Sequence, residues 1–384
     1  MKRLPVAGPS PATGASVLPP LYARWIDDLL GAPIEPETHA TCADCAMCAS
    51  AKEPPAAETV YFNPRVKCCT FVPVLPNFLV GRILCDSERG HPQGRASVEA
   101  RIATGIGVTP LGLGRSPAQH VPDAGFGQDE KYLCPHFVQQ DGGICSIWQH
   151  RDAVCATFFC KFVRGAMGAN FWGALRRLLE AIEQALAWQC VETLDVGAAT
   201  VSLLLGAAGD ARHDTVALRQ DGTYAPADLR AIWGRWAGRE RAFYEAAAGI
   251  VESLSWREIF ERAGPQVRLR AGLVREAHAR LRAPAVPEGP LRRSPFVATT
   301  VDSNAVRLTT YSNMDPLTIP RALFDALPHF DERAAEPAIA AIEAAQGLEI
   351  DLDVVGRLVD FQVLVPAQKS TDAAPEGSRA PDPS

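Results

Sequence analysis

Residues 134–162 read CPHFVQQDGGICSIWQHRDAVCATFFCKF. Four cysteines, Cys134, Cys145, Cys155 and Cys160, stand among Gly, Pro and short apolar runs rather than on a helical or strand period. Burial alone does not generate repeated cysteine spacings, whereas ligation does. Five more cysteines lie upstream. Cys42, Cys45 and Cys48 form C-x-x-C-x-x-C, whose two-residue gaps let a tight turn aim several thiolates at one centre. Cys68 and Cys69 are adjacent, and neighbouring side chains diverge, so the pair suits two irons of a cluster or two separate sites better than one zinc. These nine of the chain's eleven cysteines form the candidate ligand pool. The stretch carrying them is dense in turn formers, and a bound metal would supply folding energy that its regular structure does not.

The surrounding composition narrows the function classes. A chain of 384 residues with 47% hydrophobic content can bury more than one core. A net charge of −6 leaves no nucleic-acid footprint. The strongest apolar patch, Val201 to Leu205, is far too short to span a bilayer. The first residues carry two basic side chains with no apolar stretch behind them, which does not read as a secretory signal. A cytoplasmic location is therefore expected, where thiols stay reduced and clustered cysteines serve as ligands rather than disulfides. Cys85 and Cys190 stand alone beside apolar residues and are expected to pack as small hydrophobes. His136 and His150 lie among the cysteines and could replace a thiolate; an ordinary polar role is the preferred reading.

Outward from the cysteines, the pattern predicts a mainly α protein with an irregular, loop-rich metal-binding N-terminal region and a small winged-helix-like C-terminal module. Residues 1–20 read as a disordered arm and 21–169 as the cysteine-cluster domain, opening on a helix over Leu21 to Leu30 stopped by Gly31. Tyr61-Phe62 and Phe78 to Leu84 read as short strands. Residues 170–282 form a helical body: Phe171, Leu175, Leu178, Leu179, Ile182 and Leu186 recur at helical spacing behind Asn170 as N-cap. A second long helix is expected through Leu229, Trp233 and Tyr244, and Ser255 to Glu258 fits a capping box. Tryptophans 172, 188, 233, 236 and 256 are expected in the core. Residues 283–296 read as a linker and 297–366 as the small module, with helices over 317–327 and 333–346, Gly347 as C-cap, Asp351 capping a third helix and a strand at Val363 to Val365. Residues 367–384 read as a disordered tail. Gly105 to Gly114 lacks the strand and helix context of a dinucleotide fingerprint and reads as a loop, with Arg82, Arg95, Arg101 and Arg115 as solvated charges.

The order of cysteine triplet, Cys68-Cys69 pair, Cys134-Pro135, Cys145-Ser146-Ile147-Trp148, Arg151 and C-x4-C ending at Cys160 resembles the YkgJ-type cysteine-cluster family, described as a zinc- or iron-chelating domain. Asp152 stands where that family usually has Pro, Ala156 where it usually has Arg, and nineteen residues separate Cys48 from Cys68 where its first motif is compact. The resemblance implies metal ligation over residues 42–165. One relative, flagellin lysine N-methylase, is thought to use an iron–sulfur cluster in protein methylation.

Three functions are consistent with these residues. The favoured one is a metal-binding protein carrying an iron–sulfur cluster, 4Fe–4S in preference to other types, on cysteines drawn from the nine. The second is a methylase-like enzyme that modifies a protein or peptide, recruiting it through the C-terminal module by strand addition. The third is a zinc-stabilised interaction protein, its metal closed in by four ligands. No sequence for an ordinary hydrolase, zincin or P-loop is present.

Overall fold

The computed structural model describes residues 18–35, 37, 45–48, 61–86, 91–115, 119–139, 143–209 and 226–367. The expectations of an arm and a tail, and the ligand candidate Cys42, fall largely or wholly outside them. The protein is mainly helical, with small sheets. It divides into two compact units, residues 7–283 with 313–315, and residues 284–312 with 316 onward.

The first unit opens with α1 (Pro20–Leu30), a helix with a buried Leu21, Tyr22, Trp25, Ile26 and Leu29 stripe, closed by Gly31 at φ 72° where a left-handed residue is needed. Then follow α2 (Asn77–Cys85), α3 (Pro92–Thr104), α4 (Ala153–Thr157) and α5 (Gly165–Thr193). The run Phe78 to Leu84, expected as a strand, is therefore a helix. Seven of its nine residues, Asn77 to Gly81 with Ile83 and Leu84, are buried, and a nearly continuous apolar run carries no period that separates the two states. Tyr61-Phe62 forms no strand. Helix α5 begins at Gly165 rather than after Asn170, and its Leu175, Leu178, Leu179, Ile182 and Leu186 are fully buried as the spacing required. The unit continues with α6 (Ala198–Gly209), α7 (Pro226–Trp233), α8 (Glu240–Glu252), α9 (Trp256–Arg262) and α10 (Gly264–Arg282). The single helix expected from Leu229 to Tyr244 is broken: α7 ends at Trp233, and Gly234 at φ 49° and Gly238 at φ 76° carry the chain round into α8.

One apolar core joins α1, α4, α5, α8, α9 and α10, so the helical body and the cysteine region share packing. A second joins α2, α3 and α8 to three two-residue strands, β1 (Leu75–Pro76), β2 (Val108–Thr109) and β3 (Gly112–Leu113). Helix α2 crosses α8 so closely that a Cβ on Gly81 would lie 1.8 Å from the Tyr244 carbonyl oxygen. The glycine stretch read as a loop supplies the β2–β3 hairpin, and Arg101, read as solvated, is buried with its guanidinium donating to the Gly114 carbonyl. Two further strands, β4 (Phe137–Val138) and β5 (Ile144–Cys145), pair antiparallel inside the cysteine segment. Among the described residues no helix is long and apolar enough to cross a membrane.

The second unit runs β6 (Leu291–Arg293), β7 (Val297–Thr300), β8 (Ala305–Thr309), β9 (Leu317–Pro320), α11 (Arg321–Ala326), α12 (Ala335–Gln346), α13 (Leu352–Asp360) and β10 (Leu364–Pro366). Strands β7, β8 and β9 form an antiparallel sheet in that order, and β6 pairs with β10. Residues 317–320, expected as helix, are the strand β9, whose Ile319 faces the core opposite Val306. Gly347 at φ 63° closes α12, and the Asp351 carboxylate accepts from the Val354 amide at the start of α13, both as expected. Leu291, within the stretch whose composition suggested a linker, is fully buried with Phe330, Val355 and Phe361.

Candidate metal centre

Eight of the nine candidate ligands are among the described residues, and seven of them, Cys45, Cys68, Cys69, Cys134, Cys145, Cys155 and Cys160, line one cavity of about 310 Å³. Each arrives by its own local device. The Cys48 amide donates to the Cys45 carbonyl at 3.0 Å, a tight turn of the kind the C-x-x-C gap implies. The adjacent pair follows a turn in which Lys67 adopts φ 52°, a left-handed conformation uncommon for a residue with a side chain. That turn is held by the Lys67 amide on the Asn63 carbonyl at 2.8 Å and by the buried Lys67 Nζ on the Gly143 carbonyl at 3.2 Å.

Cys134 is tied to the pair by its amide, which donates to the Cys69 carbonyl at 2.7 Å. The β4–β5 pairing sets Phe137 opposite Cys145, and Gly143 between them, at φ 89°, leaves room for the Phe137 ring that a Cβ would meet at 2.5 Å. Cys155 sits on α4, capped by Asp152, whose carboxylate accepts from the Cys155 amide at 3.1 Å. Above that cap the Ala153 amide donates to Glu183 Oε1 on α5 at 2.7 Å, and the Tyr22 hydroxyl of α1 donates to the same oxygen. Three elements thus fix the helix that presents Cys155.

The wall between the sulfurs is aromatic. Phe62, Phe126 and Phe158 meet edge to face at 5.4 and 5.7 Å, and Phe159 packs on Trp172 at 4.6 Å. The Arg151 guanidinium lies 3.5 Å over the Trp148 ring and donates to the Trp148 and Cys155 carbonyls. Arg151 and Lys67 are the cations whose charges reach Cys68.

The thiols are held mostly protonated. Burial pushes Cys48 and Cys134 up to about 12, and raises Cys145, Cys155 and Cys160. Cys68 is lowered, first by the hydrogen bond from the Cys69 thiol and further by Arg151 and Lys67, while that same bond raises Cys69. Burial drives Glu183 well above the usual carboxyl range and Asp152 to about 6. His136 is fully buried and, for that reason first, lowered to about 3, so its ring is neutral.

No family model, curated protein or solved structure matches the chain. The likeness to the cysteine-cluster family rests on the quoted residues alone.

Among the described residues no three His, Cys, Asp or Glu side chains already converge at the spacing that holds a single ion. The thiols instead stand around a wall. Soft thiolate donors of this kind suit either an iron–sulfur cluster, in which each iron takes its own thiolate, or a zinc, which takes four.

The two isolated cysteines diverge. Cys190 is fully buried, its sulfur 3.7 Å from the Ala247 carbonyl, as expected of a small hydrophobe. Cys85 ends α2 and is exposed, so that expectation is corrected: the helix that replaces the expected strand turns its last residue outward. The arrangement also contains functional residues not singled out from sequence, Lys67, Glu183 and Tyr22. Glu183 carried a readable signal, a carboxylate on the apolar stripe of α5 four residues after Leu179 and one after Ile182.

Proposed function

We propose that the first unit is a metal-binding protein whose cavity holds an iron–sulfur cluster, of the 4Fe–4S type, on thiolates drawn from Cys45, Cys48, Cys68, Cys69, Cys134, Cys145, Cys155 and Cys160, with Cys42 of the same motif. The observation that carries this reading is the meeting of seven cysteines, from segments far apart in the chain, around one cavity of about 310 Å³. Lys67 and Arg151 support it, because a cluster ligated by four thiolates is anionic and buried negative charge needs buried positive charge. A cluster, when bound, supplies one-electron chemistry. The chain's own part is to collect the sulfurs, release their protons and keep water out with the phenylalanine wall.

Anaerobic purification with absorbance, iron and acid-labile sulfide measurement tests this. Brown protein with broad absorption near 400 nm and iron matched by sulfide is the expected result. Colourless protein with stoichiometric zinc would favour the zinc-stabilised interaction protein instead.

A second reading is favoured by the C-terminal unit. Three antiparallel strands precede three helices, and β7, which pairs only with β8 among the described residues, carries Val297 at 66% exposure. An open edge of this kind accepts an extended peptide as a further strand, as a winged-helix-like recruitment module of a peptide-modifying enzyme would. Val297→Asp on that edge should then abolish peptide capture and leave the metal content of the first unit intact. A binding profile that survives the substitution rejects this reading.

A further inference from the structure

His136 lies two residues beyond Cys134, is fully buried, and is among the residues that line the cysteine cavity. Its backbone is clamped: the Ser146 amide and hydroxyl both donate to the His136 carbonyl, at 2.8 and 2.7 Å. Its ring is oriented by helix α3. Ser97 Oγ lies 2.7 Å from His136 Nδ1 and 2.7 Å from the Gly94 carbonyl oxygen. The carbonyl can only accept, so the single hydroxyl proton of Ser97 goes to Gly94, and Ser97 accepts from His136 Nδ1–H. With the ring's proton on Nδ1, Nε2 is the bare nitrogen. That nitrogen is buried and has no hydrogen-bond partner among the described residues.

A buried acceptor left with neither a donor nor a metal costs free energy. The cavity's wall is largely thiols and aromatic rings, and among the described residues none of its side chains donates to that nitrogen. Fixing one imidazole nitrogen through a proton donated to a neighbouring oxygen, with the other left bare, is the way a protein prepares histidine as a metal ligand.

The geometry points to His136 Nε2 as a nitrogen ligand to one iron of the centre, completing a set with Cys69, Cys134 and Cys145. This rests on the iron–sulfur reading above and extends it: the cluster would have mixed cysteine and histidine ligation. The three cysteines share one backbone frame with His136, through the Cys134 amide on the Cys69 carbonyl and the β4–β5 pair that carries Cys145.

The test uses the full-length, anaerobically purified chain, reduced with dithionite and labelled with 15N at histidine only. Pulsed electron paramagnetic resonance on the unaltered protein should show a strongly coupled imidazole nitrogen, lost in His136→Cys. That variant should retain iron and sulfide while its reduction potential falls, because a thiolate replaces a neutral ligand. Ser97→Ala should weaken the nitrogen coupling without removing a ligand atom, which a merely structural histidine would not do. An iron-loaded unaltered protein without imidazole coupling overturns the assignment while leaving the cluster reading standing. Absence of iron and sulfide overturns both.

Discussion

At the scale of single residues the buried acids control the site. Glu183 and Asp152 keep their protons in the folded protein well above the pH at which the unfolded chain loses them. Between the unfolded value near 4 and the folded value, the native state therefore binds more protons, and stability falls as pH rises through that window. For Asp152, raised to about 6, the loss is on the order of 3 kcal/mol at ~1.4 kcal/mol per unit, complete above about pH 6. Glu183→Gln keeps an oxygen for the Ala153 amide and the Tyr22 hydroxyl but has no proton to lose. Urea unfolding of the metal-free variant at pH 5 and pH 8 is expected to show a smaller difference than the parent. Cysteine substitutions divide in the same way: Cys69→Ser should strip most of the iron, whereas Cys85→Ser should leave iron content unchanged and Cys190→Ser should cost only stability, about 1–3 kcal/mol for a polar group in an apolar site. Inductively coupled plasma analysis of the three variants reads this directly.

At the scale of elements, what could be read from sequence is what local chemistry settles. Gly31, Ser255, Gly347 and Asp351 mark helix ends because each cap is closed by atoms a few residues away. The Ser255 hydroxyl accepts from the Glu258 amide, and the Glu258 carboxylate accepts from the Ser255 amide at 2.9 Å. Ser255→Ala is accordingly expected to cost ~1 kcal/mol in urea unfolding, within the usual range of ~0.5–2. Helix α2 reads as a strand and strand β9 as a helix because the state of each is set by a partner outside its own residues, α8 for α2 and β8 for β9. The decisive contact for α2 is the backbone of α8 at Tyr244, more than 160 positions along the chain. Gly81→Ala places a methyl against that carbonyl and should destabilise the first unit by several kcal/mol, or prevent its folding, a far larger effect than helix propensity would predict.

For the whole molecule, the sequence made the cysteines and their number legible but not their convergence on one cavity. Spacing within Cys134 to Cys160 says nothing of which sulfur meets Cys68, and nothing of the arginine and lysine that accompany them. The mostly protonated thiols have a consequence for loading. Filling the centre must release protons, so affinity should rise with pH, and calorimetry with metal in buffers of different ionisation enthalpy should return a proton count above one. The filled protein should also melt higher than the empty one, since the metal binds the folded chain alone.

Glu183, the carboxyl that seats the cap of α4, comes after every candidate cysteine of the pool, within a 29-residue helix that Cys160 precedes. A chain emerging from the ribosome therefore displays all nine sulfurs before the group that orients Cys155 has been made. During that interval the thiols are present without their scaffold. Synthesis itself sets an order of events: sulfur first, clamp second.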